Sequence, residues 1–388
     1  MNFDKAKPRI GTHSAKWDMI KPLYGIEPEG AISMWVADMD FEPPAEVTAA
    51  ARKLVDHNVY GYFADPSSVN EAVVGWMKRR HGWDVDPSHI FYTHGLVNAV
   101  GLCLRSYTQK GDGVVIFTPV YHAFARTIKA AERRVIECEL VNDDGRYEMD
   151  FEAYDALVDE TTRMVILCSP HNPGGRVWTQ EELEGIAAFA KRHDLILVSD
   201  EIHHDLTFGA KHIAMENAAP DCVERLVMLT APSKTFNIAG THTGNVIIPD
   251  NILRKRFATV MQASGISPNS FGMFMVEAAY RHGDAWVDAL CDYLDENRKV
   301  FDAGIAEIPG LSSMLLEGTY LAWVDFKGTG MDKDEYCERV IKQARIAPNH
   351  GETFGKGGET FLRFNLGTQR ANVVEAVERL QKAFADLQ

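Results

Sequence analysis

Four short apolar runs, at 114–117, 164–167, 195–198 and 226–229, punctuate the middle of the chain, and a fifth follows at 245–248. They are continuous rather than alternating and rich in β-branched residues, the pattern of strands covered on both faces. The segments between them read as helices. The one over 179–193 opens on Thr179 with Glu182 three residues later, the signature of a capping box. This rhythm predicts a largely parallel sheet with helical crossovers. Beyond about Phe271 it fades. Helical spacing over 274–281 and 286–302, strand-like runs at 319–324 and 360–365, and a closing helix over 372–385 predict a smaller α+β unit. The chain is expected to be α/β, with a large domain over 41–280 and a small domain formed by 1–40 together with 281–388.

Composition narrows the function classes. A chain of 388 residues with 46% hydrophobic and 24% charged positions has the balance of an ordinary globular protein. A net charge of −15 argues against nucleic acid or an anionic membrane as partner. The first nine residues carry no apolar leader and no apolar run reaches membrane-spanning length, so a cytoplasmic protein is expected. Six cysteines (Cys103, Cys138, Cys168, Cys222, Cys291, Cys337) form no CxxC or finger-like spacing and are expected to be reduced and structural.

Parallel sheets bind ligands outside the carboxyl ends of their strands, so the residues after each run are the ones to inspect. After the first comes Tyr121. After the second come Asn172, Pro173, Gly174 and Gly175; after the third, Asp200, Glu201, Ile202 and His203. After the fourth come Ser233, Lys234, Thr235, Phe236 and Asn237. Most lysines that follow strands are solvated loop cations, but a lysine held out of water is a better nucleophile at neutral pH. Here one rim gathers an aromatic ring, an amide, a carboxylate and an amine, which has no packing rationale. The stretch 93–99, with Gly95, Leu96 and Val97, has the loop-into-helix form that offers free N–H groups to an anion.

Together, Tyr121, Asn172, Asp200, Lys234 and Arg363 resemble the active site of fold-type I pyridoxal-phosphate enzymes, the aspartate aminotransferase superfamily. The resemblance spans roughly Met34 to Gly367. Finer features, the run 34–41 around Trp35 and Ala37, Asp200 to His203, and Lys234 to Gly240, resemble the MalY/PatB group of cystathionine β-lyases and related carbon–sulfur lyases. The resemblance implies pyridoxal 5′-phosphate as cofactor and Lys234 as the residue that holds it and then acts as base at the substrate Cα. It further implies Asp200 at the pyridinium nitrogen, Asn172 at the phenolic oxygen and Tyr121 against the ring. Gly95, Leu96, Val97, Ser233 and His242 are the expected phosphate contacts, with Tyr62 reaching over from the neighbouring subunit of a homodimer. Arg363 matches the clamp on the substrate α-carboxylate, and Trp35 and Ala37 border the side-chain pocket.

Two departures from the aminotransferase pattern bear on the reaction: His242 stands where many aminotransferases have an arginine, and His203 where a tyrosine is common. A proline expected near position 98 in the lyase group is absent. The implied reaction is α,β-elimination from L-cystathionine or a related cysteine S-conjugate. Amino transfer on the same scaffold and a non-catalytic regulatory binding protein are the alternatives. No metal is expected: His203, His204 and Asp205 are adjacent, side chains of adjacent histidines point apart, and no spaced third ligand or HExxH motif accompanies them.

Overall fold

The structure, a computed structural model, describes residues 1–387. Seven strands form the main sheet: β1 (Ile90–Thr93), β2 (Gly113–Thr118), β3 (Arg134–Glu139), β4 (Thr162–Cys168), β5 (Ile196–Asp200), β6 (Leu226–Thr230) and β7 (Gly244–Ile247). Their order is β1-β7-β6-β5-β4-β2-β3. All pairs from β6 to β3 are parallel, while β7 runs antiparallel to both β6 and β1. The fifth apolar run is therefore the one reversed strand of a mixed, mainly parallel sheet.

The continuous apolar runs follow from burial on both faces. Val115, Phe117, Val165, Leu167 and Leu197 enter one core, and the alternating Val114, Ile116, Met164, Ile166 and Val198 enter the other. Edge strand β3 reads as polar because Arg134 and Glu139 are exposed at its ends, and its pattern predicts no strand. Helices cover the sheet: α1 (Ser67–His81), α2 (Leu96–Tyr107), α3 (Gln180–Arg192) and α4 (Ser270–His282). The expected capping box of α3 is present. Thr179 Oγ1 accepts from the Glu182 N–H at 3.2 Å and Glu182 Oε2 accepts from the Thr179 N–H at 2.7 Å, an arrangement worth about 1 kcal/mol.

The C-terminal third forms a four-stranded antiparallel sheet whose central pair is β8 (Leu321–Asp325) and β9 (Phe361–Asn365). Helices α5 (Asp284–Ala306) and α6 (Arg370–Ala383) pack on it, and Phe301, Ile305, Val324, Phe364, Val377 and Leu380 share one core. The predicted strands here are displaced by only one or two residues. No helix among the described residues is long and apolar enough to cross a membrane. All six cysteines are free.

Candidate active site

The carboxyl ends of the parallel strands converge on one cavity of about 1140 Å³. Strand register sets the convergence: Cys168 lies opposite Asp200, and Asp200 opposite Leu229. Asn172 thus follows β4 on one side of Asp200, and β6 delivers the short helix Pro232–Thr235, with Ser233 and Lys234, on the other. Tyr121, Asn172, Asp200, His203, Ser233 and Lys234 all line the cavity. So do Ala37, Gly95, Leu96, Val97 and His242.

Lys234 faces the cavity, its Nζ donating to the Ala37 carbonyl at 2.5 Å. Burial pulls its ammonium down to about 8, with the nearby Arg363 charge acting in the same direction and Asp38 and Asp200 opposing. Asp200, buried at the end of β5, is pushed up to about 7, chiefly by burial and then by the neighbouring Glu201 charge. Its Oδ1 accepts from the Ile202 N–H at 3.1 Å, and no side chain among the described residues pairs with it. A carboxylate held in this way is suited to a cationic partner within the cavity.

Arg363, from β9, is buried and directs its guanidinium at two acceptors: Nη1 donates to Asn172 Oδ1 at 3.0 Å and Nη2 to the Trp35 carbonyl at 2.6 Å. Its Nε has no partner among the described residues. Because Oδ1 of Asn172 is taken by Arg363, the amide's NH₂ side is left for the cavity. Burial lowers the guanidinium to about 10. The Trp35 ring leans on Tyr24 at 5.9 Å, so this residue contributes its carbonyl rather than its indole to the site. The Tyr121 phenol is raised above its ordinary value, mainly by burial, and keeps its proton at neutral pH.

Gly95, also on the cavity lining, takes φ +81° as the residue before α2, and no side chain caps that helix. A residue with a Cβ is strained in this conformation. The first-turn N–H groups of Leu96 and Val97 remain available to an anion, and Ser233 and His242 line the same cavity. Tyr62 is fully exposed and outside the cavity; the fold of one chain does not bring it to the other site residues.

Several residues to which sequence reasoning assigns no role hold the site together. Tyr320 donates its hydroxyl to the Ala37 carbonyl at 2.9 Å, the same oxygen that Lys234 uses. Asn237 accepts from the Met39 N–H at 2.9 Å and donates to the Met39 and Phe41 carbonyls at 2.7 Å each. Asn365 donates to the Asp38 carbonyl at 2.6 Å. Arg9 clamps both oxygens of Asp38, and Lys16 reaches the buried Asp40 at 2.7 Å. Residues 35–41 are therefore a strap tied to β9 and to the lysine loop. Beneath the floor, buried Glu201 accepts from Ser199, His212 and the Met215 N–H. Asp205 accepts from Trp76 Nε1 at 3.1 Å and Thr235 Oγ1 at 2.7 Å.

The expectation that no spaced third ligand accompanies the paired histidines needs correction. His203 faces the cavity, but His204 and Asp205 turn the other way and meet His81, at the end of α1. The sequence hides this because 124 residues separate His81 from Asp205.

With these features in place, the chain belongs to the aminotransferase class I and II family, whose model matches residues 31–380. It is 37% identical over 389 residues to cystathionine beta-lyase PatB of Bacillus subtilis, covering 99% of this chain and 100% of PatB. Cystalysin from Treponema denticola, which contains a pyridoxal 5′-phosphate cofactor, matches with a TM-score of 0.95 at 37% identity, covering 100% of this chain and 99% of cystalysin. The pyridoxal-phosphate-bound C-S lyase from Staphylococcus hominis matches with a TM-score of 0.91 at 31% identity, covering 99% and 98% of the two chains.

Proposed function

We propose that this chain is a pyridoxal-phosphate-dependent carbon–sulfur β-lyase acting on L-cystathionine or related cysteine S-conjugates. The observation that carries elimination over amino transfer is the end-to-end likeness to PatB and to the Staphylococcus hominis C-S lyase. The cavity fits the cofactor on its own chemistry. An uncapped helix N-terminus suits a phosphate, a buried carboxylate without a side-chain partner suits a pyridinium N–H, and an amine drawn down to about 8 suits a carbonyl. Pyridoxal phosphate, when bound, supplies an electron sink for the pair left at Cα.

In this reading Lys234 holds the cofactor and Gly95, Leu96, Val97, Ser233 and His242 hold its phosphate. Asp200 keeps a proton on the ring nitrogen, the Asn172 NH₂ serves the phenolic oxygen and His203 closes that wall. Arg363 binds the substrate α-carboxylate in a fork, which sets the Cα–H toward Lys234. Lys234 Nζ removes the Cα proton. The electron pair becomes the Cα–Cβ double bond as the Cβ–S bond breaks, and the leaving thiolate takes a proton from Tyr121. Water then hydrolyses the released enamine, so one thioether and one water give one thiol, one pyruvate and one ammonia.

The division into 41–280 and 1–40 with 281–388 puts Lys234 and Arg363 on opposite domains, with the strap between them. A homodimer in which Tyr62 of a second copy completes the phosphate site accounts for that residue's full exposure in one chain. The function is tested by assaying thiol release from L-cystathionine and S-alkyl cysteines with a thiol-reactive dye. Release from at least one thioether is expected, and release from none overturns the reading.

The shifted groups predict a pH dependence for the cofactor-free protein. Asp200, at about 7 against an ordinary 3.8, holds a proton in the folded chain that the unfolded chain has released, so stability falls as pH rises from about 4 to 7. Lys234, at about 8 against 10.5, has lost a proton that the unfolded chain retains, so its contribution makes stability rise from about pH 8 to 10.5. Asp200→Asn is expected to flatten the first slope and, because the Asp200 charge holds Lys234 up, to extend the second toward lower pH, read as thermal midpoints across pH.

A further inference from the structure

We infer that His81, His204 and Asp205 form a binding site for one divalent transition-metal ion of the zinc type, on the side of the Asp200 loop that faces away from the cofactor cavity. One ligand atom from each of the three lies within 4.8 Å of the others. His81 Nε2 is 2.8 Å from Asp205 Oδ1, His204 Nε2 is 3.1 Å from Asp205 Oδ2, and the two imidazole centroids are 4.4 Å apart. Zinc bonds nitrogen and carboxylate oxygen at about 2.0–2.2 Å, which places neighbouring tetrahedral ligands roughly 3.3 Å apart. The two histidine–carboxylate separations, 2.8 and 3.1 Å, already lie near that spacing.

A second observation points to a ligand. The His204 side chain is 1% exposed, and its Nε2, although 3.1 Å from Asp205 Oδ2, makes no well-formed hydrogen bond among the described residues. A buried, unpartnered imidazole nitrogen is costly, and two imidazoles in contact cannot both carry a proton cheaply. A metal ion satisfies both nitrogens and the carboxylate at once. Imidazole nitrogen selects zinc, copper or nickel over calcium or magnesium.

The surroundings leave room for the ion and its fourth ligand. The cluster opens into a separate cavity of about 180 Å³, whose mouth carries Thr207, Lys211 and His212. Arg79 and Arg80 also border it, but they are engaged by Asp284 and Asp288, and His212 is bonded to Glu201 at 2.8 Å. A water would complete the coordination of such an ion. Trp76 Nε1 and Thr235 Oγ1 donate to the Asp205 oxygens and hold that carboxylate in its orientation. An ion here would fasten α1 to the loop that follows Asp200.

The test uses untagged holoenzyme freed of excess cofactor, dialysed against micromolar Zn²⁺. One zinc per chain and a raised thermal midpoint are expected, with His81→Asn and His204→Asn each weakening uptake by at least about 100-fold. Unchanged uptake by folded variants, or no stoichiometric uptake by the unaltered enzyme, overturns the site. Should either variant fail to fold, Co²⁺ titration of the unaltered enzyme decides. A saturable tetrahedral visible spectrum at one ion per chain, displaced by Zn²⁺, supports the site, and its absence overturns it.

Discussion

Lys234→Ala is expected to lower kcat for thiol release by at least about 10³, because one substitution removes both the covalent anchor of the cofactor and the Cα base, and a positioned general base alone contributes about 10²–10⁴. The environment makes the residue hard to replace. Its Nζ is placed by the Ala37 carbonyl, drawn down to about 8 chiefly by burial, and acted on by the charges of Asp38, Arg363 and Asp200. Steady-state kinetics, with circular dichroism to confirm folding, check the outcome. Partial rescue by an added small primary amine would assign the lost rate to proton transfer rather than to a damaged fold. Turnover within tenfold of the unaltered enzyme would contradict the mechanism.

Arg363→Ala has the second largest expected effect, a fall of about 10²–10³ in kcat/KM, carried mostly by KM. The guanidinium is buried, and its loss strands the Asn172 amide oxygen, the Trp35 carbonyl and the incoming α-carboxylate together. Arg363→Lys keeps the charge but not the fork and is expected to fall between the two. Kinetics with a thioether amino acid and with its decarboxylated amine check the assignment. The amine lacks the carboxylate, so the substitutions should barely affect it. Equal losses for both substrates would mean that Arg363 acts on the fold of the strap and not on the substrate.

The central part of the site was legible in the sequence because the inner parallel strands β2, β4, β5 and β6 each read as an apolar run and place their next few residues on one rim. Asn172, Asp200 and Lys234 follow β4, β5 and β6, and the register Cys168 to Asp200 to Leu229 turns sequence order into spatial proximity. The half-buried edge strand β3 escaped because its exposed Arg134 and Glu139 break the apolar pattern. The strap escaped for a different reason. Lys234, Tyr320 and Asn365 all bind backbone carbonyls of residues 37 and 38, and a carbonyl carries no residue-type signal. His81 was invisible in the same way, since only folding brings the end of α1 beside Asp205. Trp35 shows a subtler limit: the position was marked, but the chain uses its carbonyl and turns the indole toward Tyr24.

The fate of the carbanion formed at Cα is what separates a lyase from an aminotransferase built on the same residues. The direct measurement is product stoichiometry from L-cystathionine with no keto acid present. The account predicts continuous turnover that yields pyruvate, ammonia and thiol in equal amounts. A reaction that stops after one equivalent per site, forms no pyruvate and resumes only when a keto acid is added would contradict it.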